Sequence, residues 1–146
     1  MIFTAQQRVG TAITAHFGTT LAPTVYLFPA GHENDSVSAG TFWVIVTPET
    51  DEDGHDGGGG VAYIGSHNLL ITAWIQNVQA DLGSTAQDIG TKAAGLRDSL
   101  RYKTLGGYTR PSIDVTDMGA GKYTNHTDDS SRYGYSFTVR VTHQYT

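Results

Sequence analysis

Asp51, Glu52, Asp53, His55 and Asp56 lie within six residues and form the densest group of metal-capable side chains in the chain. Asp51-Glu52-Asp53-Gly54 matches the opening of a calcium loop, where alternate carboxylates supply oxygens. An EF-hand loop needs ligands through its twelfth position, ending in a glutamate. Here Gly57 to Gly60 follow, and the pattern breaks. The glycine run does not continue into Gly-Lys-Ser/Thr, so it is no phosphate loop either. Residues 49–60 hold too few apolar side chains to pack, which predicts a flexible, projecting acidic and glycine-rich loop. Its functional version is an acidic tip that orders against a neighbouring subunit or lines a channel.

The other reactive side chains are scattered. The six histidines, at 16, 32, 55, 67, 126 and 143, show no H-x-H or H-x-x-x-H spacing, so no zinc motif is present. His32-Glu33 and Asp35 are close in sequence but form no recognised pattern. No G-x-S-x-G elbow frames a nucleophilic serine. With no cysteine, thiol catalysis and thiolate metal sites are excluded. The chain is therefore not expected to be an enzyme or to carry a cofactor or metal.

Charge and composition narrow the partners. The net charge is −5 with 9 Lys+Arg, which argues against gripping nucleic acid through neutralised phosphates. It is compatible with a channel wall past which DNA slides, because a negative wall repels DNA. No run of eighteen apolar residues exists, so no membrane-spanning helix is expected. The opening MIFTAQQRVGTAITAHF lacks a basic region followed by an apolar core, so no secretory signal is expected. Charged residues make up 16%, and Tyr102, Tyr108, Tyr123, Tyr133, Tyr135 and Tyr145 crowd the last third. Tyrosine suits both a bulky sheet face and a subunit interface.

The elements that must position these groups follow from periodicity. Val9, Ala12, Ile13 and Phe17 predict a helix over 4–17, with Thr4 as N-cap and Gly18 as the left-handed stop. TVYLF at 24–28 and TFWVIVT at 41–47 predict strands bounded by Pro23, Pro29 and Pro48. Residues 61–64 and 69–78 predict a strand pair or one interrupted strand, with Leu69, Ile71, Ala73 and Ile75 on one face. Ile89, Ala93, Leu96 and Leu100 predict a second helix over 84–102, with Ser84 as cap and Asp88 in its first turn. Residues 112–118 predict a strand and 122–131 a polar hairpin tip. From Tyr133 to Tyr145 large or β-branched residues alternate with small or polar ones, which predicts a long strand with one buried face. The sum is one α+β domain over 1–146: a mostly antiparallel sheet, two helices on one face, and a projecting loop or hairpin.

This layout resembles the tail terminator proteins of long-tailed bacteriophages. The resemblance rests on AQQRVGTAITAHF, TVYLF, TFWVIV, NLLITAWIQN, AQDIGTKAAGLRDSLRY and the pair PSIDVTDMG and YGYSFTVRVTHQY. It covers nearly the whole chain, and the 49–60 insertion has no place in the pattern. The resemblance implies a virion tail or neck protein assembled in the host cytoplasm. It implies a homo-oligomeric ring, a hexamer, that caps the tail tube, stops its polymerisation and meets the head. The implied partners are the tail tube protein and a head-tail connector or neck protein, with DNA only as passing cargo and no membrane. Head-closure and tail-completion adaptors of the neck share the layout and are the alternative. A small metal- or ligand-binding module is the alternative of another class. On the ring reading, the interface or lumen candidates are Asp51, Asp53 and Asp56, Arg97 and Arg101, and Tyr123 and Arg132.

Overall fold

The computed structural model describes residues 2–19, 21, 23–27, 31–32, 41–55, 63–76, 82–101, 105, 113–114, 121–125 and 132–145. The elements run α1 (Ile2–Phe17), β1 (Thr24–Tyr26), β2 (Phe42–His55), β3 (Tyr63–Gln76), α2 (Leu82–Leu100), β4 (Ile113–Asp114), β5 (Lys122–Asn125) and β6 (Arg132–Tyr145). The sheet order is β1-β2-β3-β6-β4, and β5 also pairs with β6. β1 is parallel to β2, and the other pairs are antiparallel. The protein is therefore α+β with a mostly antiparallel mixed sheet, as the element order predicts.

Three 14-residue strands, β2, β3 and β6, form the spine. At about 3.3 Å per residue, each reaches roughly 45 Å. Both helices cover one face of it. Ala5, Val9, Ala12 and Ile13 of α1 and Ile89, Ala93, Leu96 and Leu100 of α2 are buried. They pack on Val44 and Val46, on Leu69 and Ile71, and on Phe137, Val139 and Val141. These are the apolar stripes that periodicity picks out. Phe17 sits at the edge, its ring edge-on to Phe42 at 4.9 Å.

Both helix starts differ from the sequence expectation. α1 begins at Ile2, so Thr4 is inside its first turn and does not cap it. α2 begins at Leu82, which places Ser84 inside the helix and leaves no acidic residue in the first turn. Asp88 instead pairs with Lys92 one turn on. Ser and Thr favour caps because they compete for backbone groups, yet a helix extends past them when upstream residues also adopt helical backbone. The stop of α1 is as expected: Gly18 has φ of 67° and its N–H donates to Thr14 O at 3.1 Å.

The larger correction concerns Pro48 and the acidic segment. β2 does not end at Pro48 but runs to His55. Its pairing with β3 slips between Pro48 and Thr50 and then resumes, Asp51 opposite His67 and His55 opposite Tyr63. A bulge is where a strand tolerates a residue that cannot donate. Residues 49–55 of the expected loop are thus strand, and 56–60 lie outside the described residues. β3 is one continuous strand, with all its residues from Tyr63 to Gln76 paired to β6. Residues 122–125, expected as hairpin tip, form β5. Of the strand expected at 112–118, Ile113 and Asp114 are described as strand.

The second face of the sheet is not uniformly wet. Trp43, Ile45 and Trp74 are buried there, with Tyr26 packed against them. Trp43 and Trp74 are direct register partners.

Candidate functional site

The flank of α2 beside β5 and β6 carries three of the candidate residues, Arg97, Arg101 and Tyr123. Gly90, Ala94, Arg97 and Arg101 recur at spacings of four, three and four, so they line one side of the helix next to its buried stripe. Arg97 Nη1 donates to the Tyr135 hydroxyl at 3.3 Å. Tyr135 is buried and meets Tyr123 edge-on, with ring centroids 5.0 Å apart. Edge-to-face contact sets the positive ring edge against the negative face of its neighbour. Tyr123 remains 54% exposed. Its hydroxyl end occupies the space that a Cβ on Gly90 would need. Tyr135 is held the same way against Gly121. The result is an exposed aromatic ring set against Gly90 and Tyr135, with the Arg97 guanidinium on the far side of the pair at the Tyr135 hydroxyl.

Arg101 lies just past the helix, exposed, with Nη2 3.7 Å from Asp98 Oδ1. A surface pair of this kind contributes little to stability. Arg97 makes no ion pair among the described residues, and its Nε is buried without a hydrogen bond.

Arg132 is elsewhere and is 7% exposed. Its Nε donates to Gln76 Oε1 at 2.7 Å, and its guanidinium lies 5.4 Å from the centre of the Trp43 ring. It joins β6 to β3 at the ladder end, where Gln76 and Arg132 are register partners. Trp43 Nε1 is buried with no hydrogen bond, so the cation over its ring is its described polar contact. The backbones of Asp51 and Asp53 lie in the outer part of β2, opposite His67 and Gly65. Asp56 lies outside the described residues.

Among the described residues, no group of three or more His, Cys, Asp or Glu could hold a metal. An open groove of about 320 Å³ runs between α1 and β1, lined by Gln7, Gly10, Thr11, Thr14, Val25 and Leu27. The Thr11 and Thr14 hydroxyls donate to the carbonyls of Gln7 and Gly10, each at 3.1 Å. Among the described residues of its lining there is no titratable group with which to do acid–base chemistry. None of the described helices is long and apolar enough to cross a membrane.

Sequence patterning alone did not single out Gly90 or the role of Tyr135. A glycine inside a helix costs about 1 kcal/mol relative to alanine, so Gly90 itself is the signal of a close approach. Tyr135 reads as ordinary alternation in β6, and only the fold sets Arg97 beside it.

The fold and this flank define an α+β protein with two helices on one side of a long-stranded sheet and a Tyr–Arg surface cluster. No protein-family model matches the chain, and no curated protein sequence matches it. Among solved structures, it is similar to a chain of the virion of a native gene transfer agent particle. That alignment has a TM-score of 0.54 and 16% identity, over 97% of this chain and 91% of the other. A second solved chain, at a TM-score of 0.44 and 16% identity, is too distant to bear on function. The first likeness is one of fold.

Proposed function

We propose that this protein is a structural component of a phage-like virion, acting as a tail terminator. Copies of the chain form a ring, a hexamer, on the last ring of the tail tube. The ring stops tube polymerisation and presents a surface to the head or neck, while DNA passes through it. The supporting observation is the end-to-end fold likeness to a gene transfer agent virion chain.

The sheet geometry fits that reading. Among the described residues, β1 pairs with β2 from Trp43 to Ile45. From Thr47 to His55, β2 has no strand on its outer side among the described residues. An open strand edge of this length invites pairing with another chain, and ring closure covers it. A ring is built from heterologous contacts, one surface of a subunit against a different surface of the next. The proposed role needs no covalent chemistry. Asp51, Asp53, Asp56, Arg97, Arg101, Tyr123 and Arg132 are proposed as interface or lumen residues, with Arg132 acting from beneath the surface.

The test is the solution mass of the purified protein by light scattering, then electron microscopy of it alone and mixed with tail tubes. A closed ring, free or at tube ends, is the expected result. A protein that stays monomeric and leaves tube ends bare and still growing sinks the proposal.

A further inference from the structure

We infer that the ring junction is an electrostatic clasp, in which the acidic outer end of β2 from one copy seats on the Arg97–Arg101–Tyr123 flank of α2 in the next. The inference rests on the ring reading and assigns its contact surfaces.

Charge is sorted along this chain. Residues 49–56 hold five of the 14 acidic residues, Glu49, Asp51, Glu52, Asp53 and Asp56, and no Lys or Arg. Residues 92–110 hold five of the nine basic ones, Lys92, Arg97, Arg101, Lys103 and Arg110, with Asp98 as the single acid. Like charges packed along one short segment repel each other, so each block is stabilised by meeting its opposite. Within the chain the two do not meet at the described cations: Arg97 is bonded to a tyrosine, and Arg101 to its own helix neighbour Asp98. Arg97 therefore brings a positive charge to this flank that no described carboxylate answers.

The flank also has the features of a binding anchor. Tyr and Arg are the residues that dominate interface energetics. Tyr123 is over half exposed but held in place by Gly90 and Tyr135, so docking costs it little rotamer freedom. β2 supplies the matching partner: its outer end is paired to β3 on one side and has no strand on the other among the described residues. One side is basic and aromatic, and the other is an extended strand end of acidic sequence. A second copy of this chain satisfies both at once, and head-to-tail repetition of that contact is what a ring requires.

The test uses two charge-reversed full-length proteins. One carries Arg97→Glu and Arg101→Glu, the other Asp51→Lys and Asp53→Lys. Each alone should lose assembly, read by sedimentation and electron microscopy, by roughly a hundredfold in concentration, because like charges then face each other. Mixed in equal amounts, they should alternate around an even-numbered ring and recover assembly to within about tenfold of wild type. Arg97 also holds Tyr135, so the flank variant is repeated with Arg101→Glu alone, and circular dichroism checks the fold of all. Wild-type rings together with reversed chains that assemble normally, or a mixture no better than its parts, overturn the clasp and leave the ring reading intact. A wild-type protein that forms no ring, alone or on tubes, overturns the ring reading itself.

Discussion

Gly134 shows how tightly single positions are specified in this fold. It is the register partner of Trp74 across β3 and β6. A Cβ there would lie 2.7 Å from Thr124 Cγ2 and 2.9 Å from Trp74 Cε3. The glycine lets the indole lie across β6, and the indole in turn covers a strand position that has no side chain of its own. Gly134→Ala forces two neighbours apart in a packed layer and should lower stability by about 1–3 kcal/mol, read as a drop in the urea midpoint. Gly90→Ala makes the opposite prediction. Its neighbour is the hydroxyl end of the exposed Tyr123, which a Cβ at 90 displaces toward solvent, and alanine is better in a helix by about 1 kcal/mol. Stability should hold or rise, while the Tyr123 ring leaves Tyr135 and ring assembly weakens. A Gly90→Ala protein that loses stability as Gly134→Ala does would show that Tyr123 is part of the core rather than a surface anchor.

Elements are fixed to one another by a few buried contacts of different kinds. α2 holds the sheet through its apolar stripe, and Leu96 is fully buried in it. Leu96→Ala should cost about 2–5 kcal/mol, from lost transfer energy and the cavity left behind. α1 carries a polar tie as well. Gln6 is 1% exposed, and its Nε2 donates to the Val46 carbonyl at 2.8 Å. Val46 is the residue after the last β2 position that β1 pairs, so the glutamine serves a carbonyl just beyond the β1 ladder. Gln6→Ala strands that carbonyl and should cost about 1–3 kcal/mol by denaturant unfolding. Gln6→Glu keeps the volume but sets an acceptor against an acceptor, and should be at least as damaging. If both variants unfold at the wild-type midpoint, the tie contributes nothing.

For the molecule as a whole, the separation of charge is the property that assembly should reveal. A clasp between acidic strand and basic flank weakens as salt screens it, since the Debye length falls from about 10 Å at 0.1 M to about 3 Å at 1 M. The assembled fraction should therefore fall with added salt. A ring that tightens instead is held by apolar burial, as excluded salts strengthen such contacts. Amides of residues 51–55 should gain hydrogen-exchange protection on assembly, while those of 42–46, already inside the sheet, should not change. Calcium discriminates the ligand-binding alternative. A ligand that binds the native state raises the melting temperature by mass action. The melting temperature is expected to be the same in millimolar calcium and in chelator, and a clear rise in calcium would restore the metal-loop reading of Asp51 and Asp53.

The sequence by itself determined the pieces that repeat. Ile89, Ala93, Leu96 and Leu100 announce a buried helical stripe, and the alternation from Tyr133 onward announces a long strand, because burial on one face leaves its period in the chain. The α+β class follows from the order of such pieces. What lacks a period was not legible. Pro48 reads as a stop, yet β2 passes through it, because a bulge absorbs the missing donor and β3 supplies the ladder beyond. The acidic run at 51–55 reads as loop by composition, yet pairing with Tyr63–His67 makes it strand. Strand identity there is conferred by the partner, not by the residues' own propensity. The candidate flank was legible only as separate residues. Arg97 and Tyr123 are both visible in the sequence, but Tyr135 joins them across 38 residues and Gly90 makes room for the ring. Contacts of that kind depend on which helix flank meets which strand edge, and only the tertiary structure decides it.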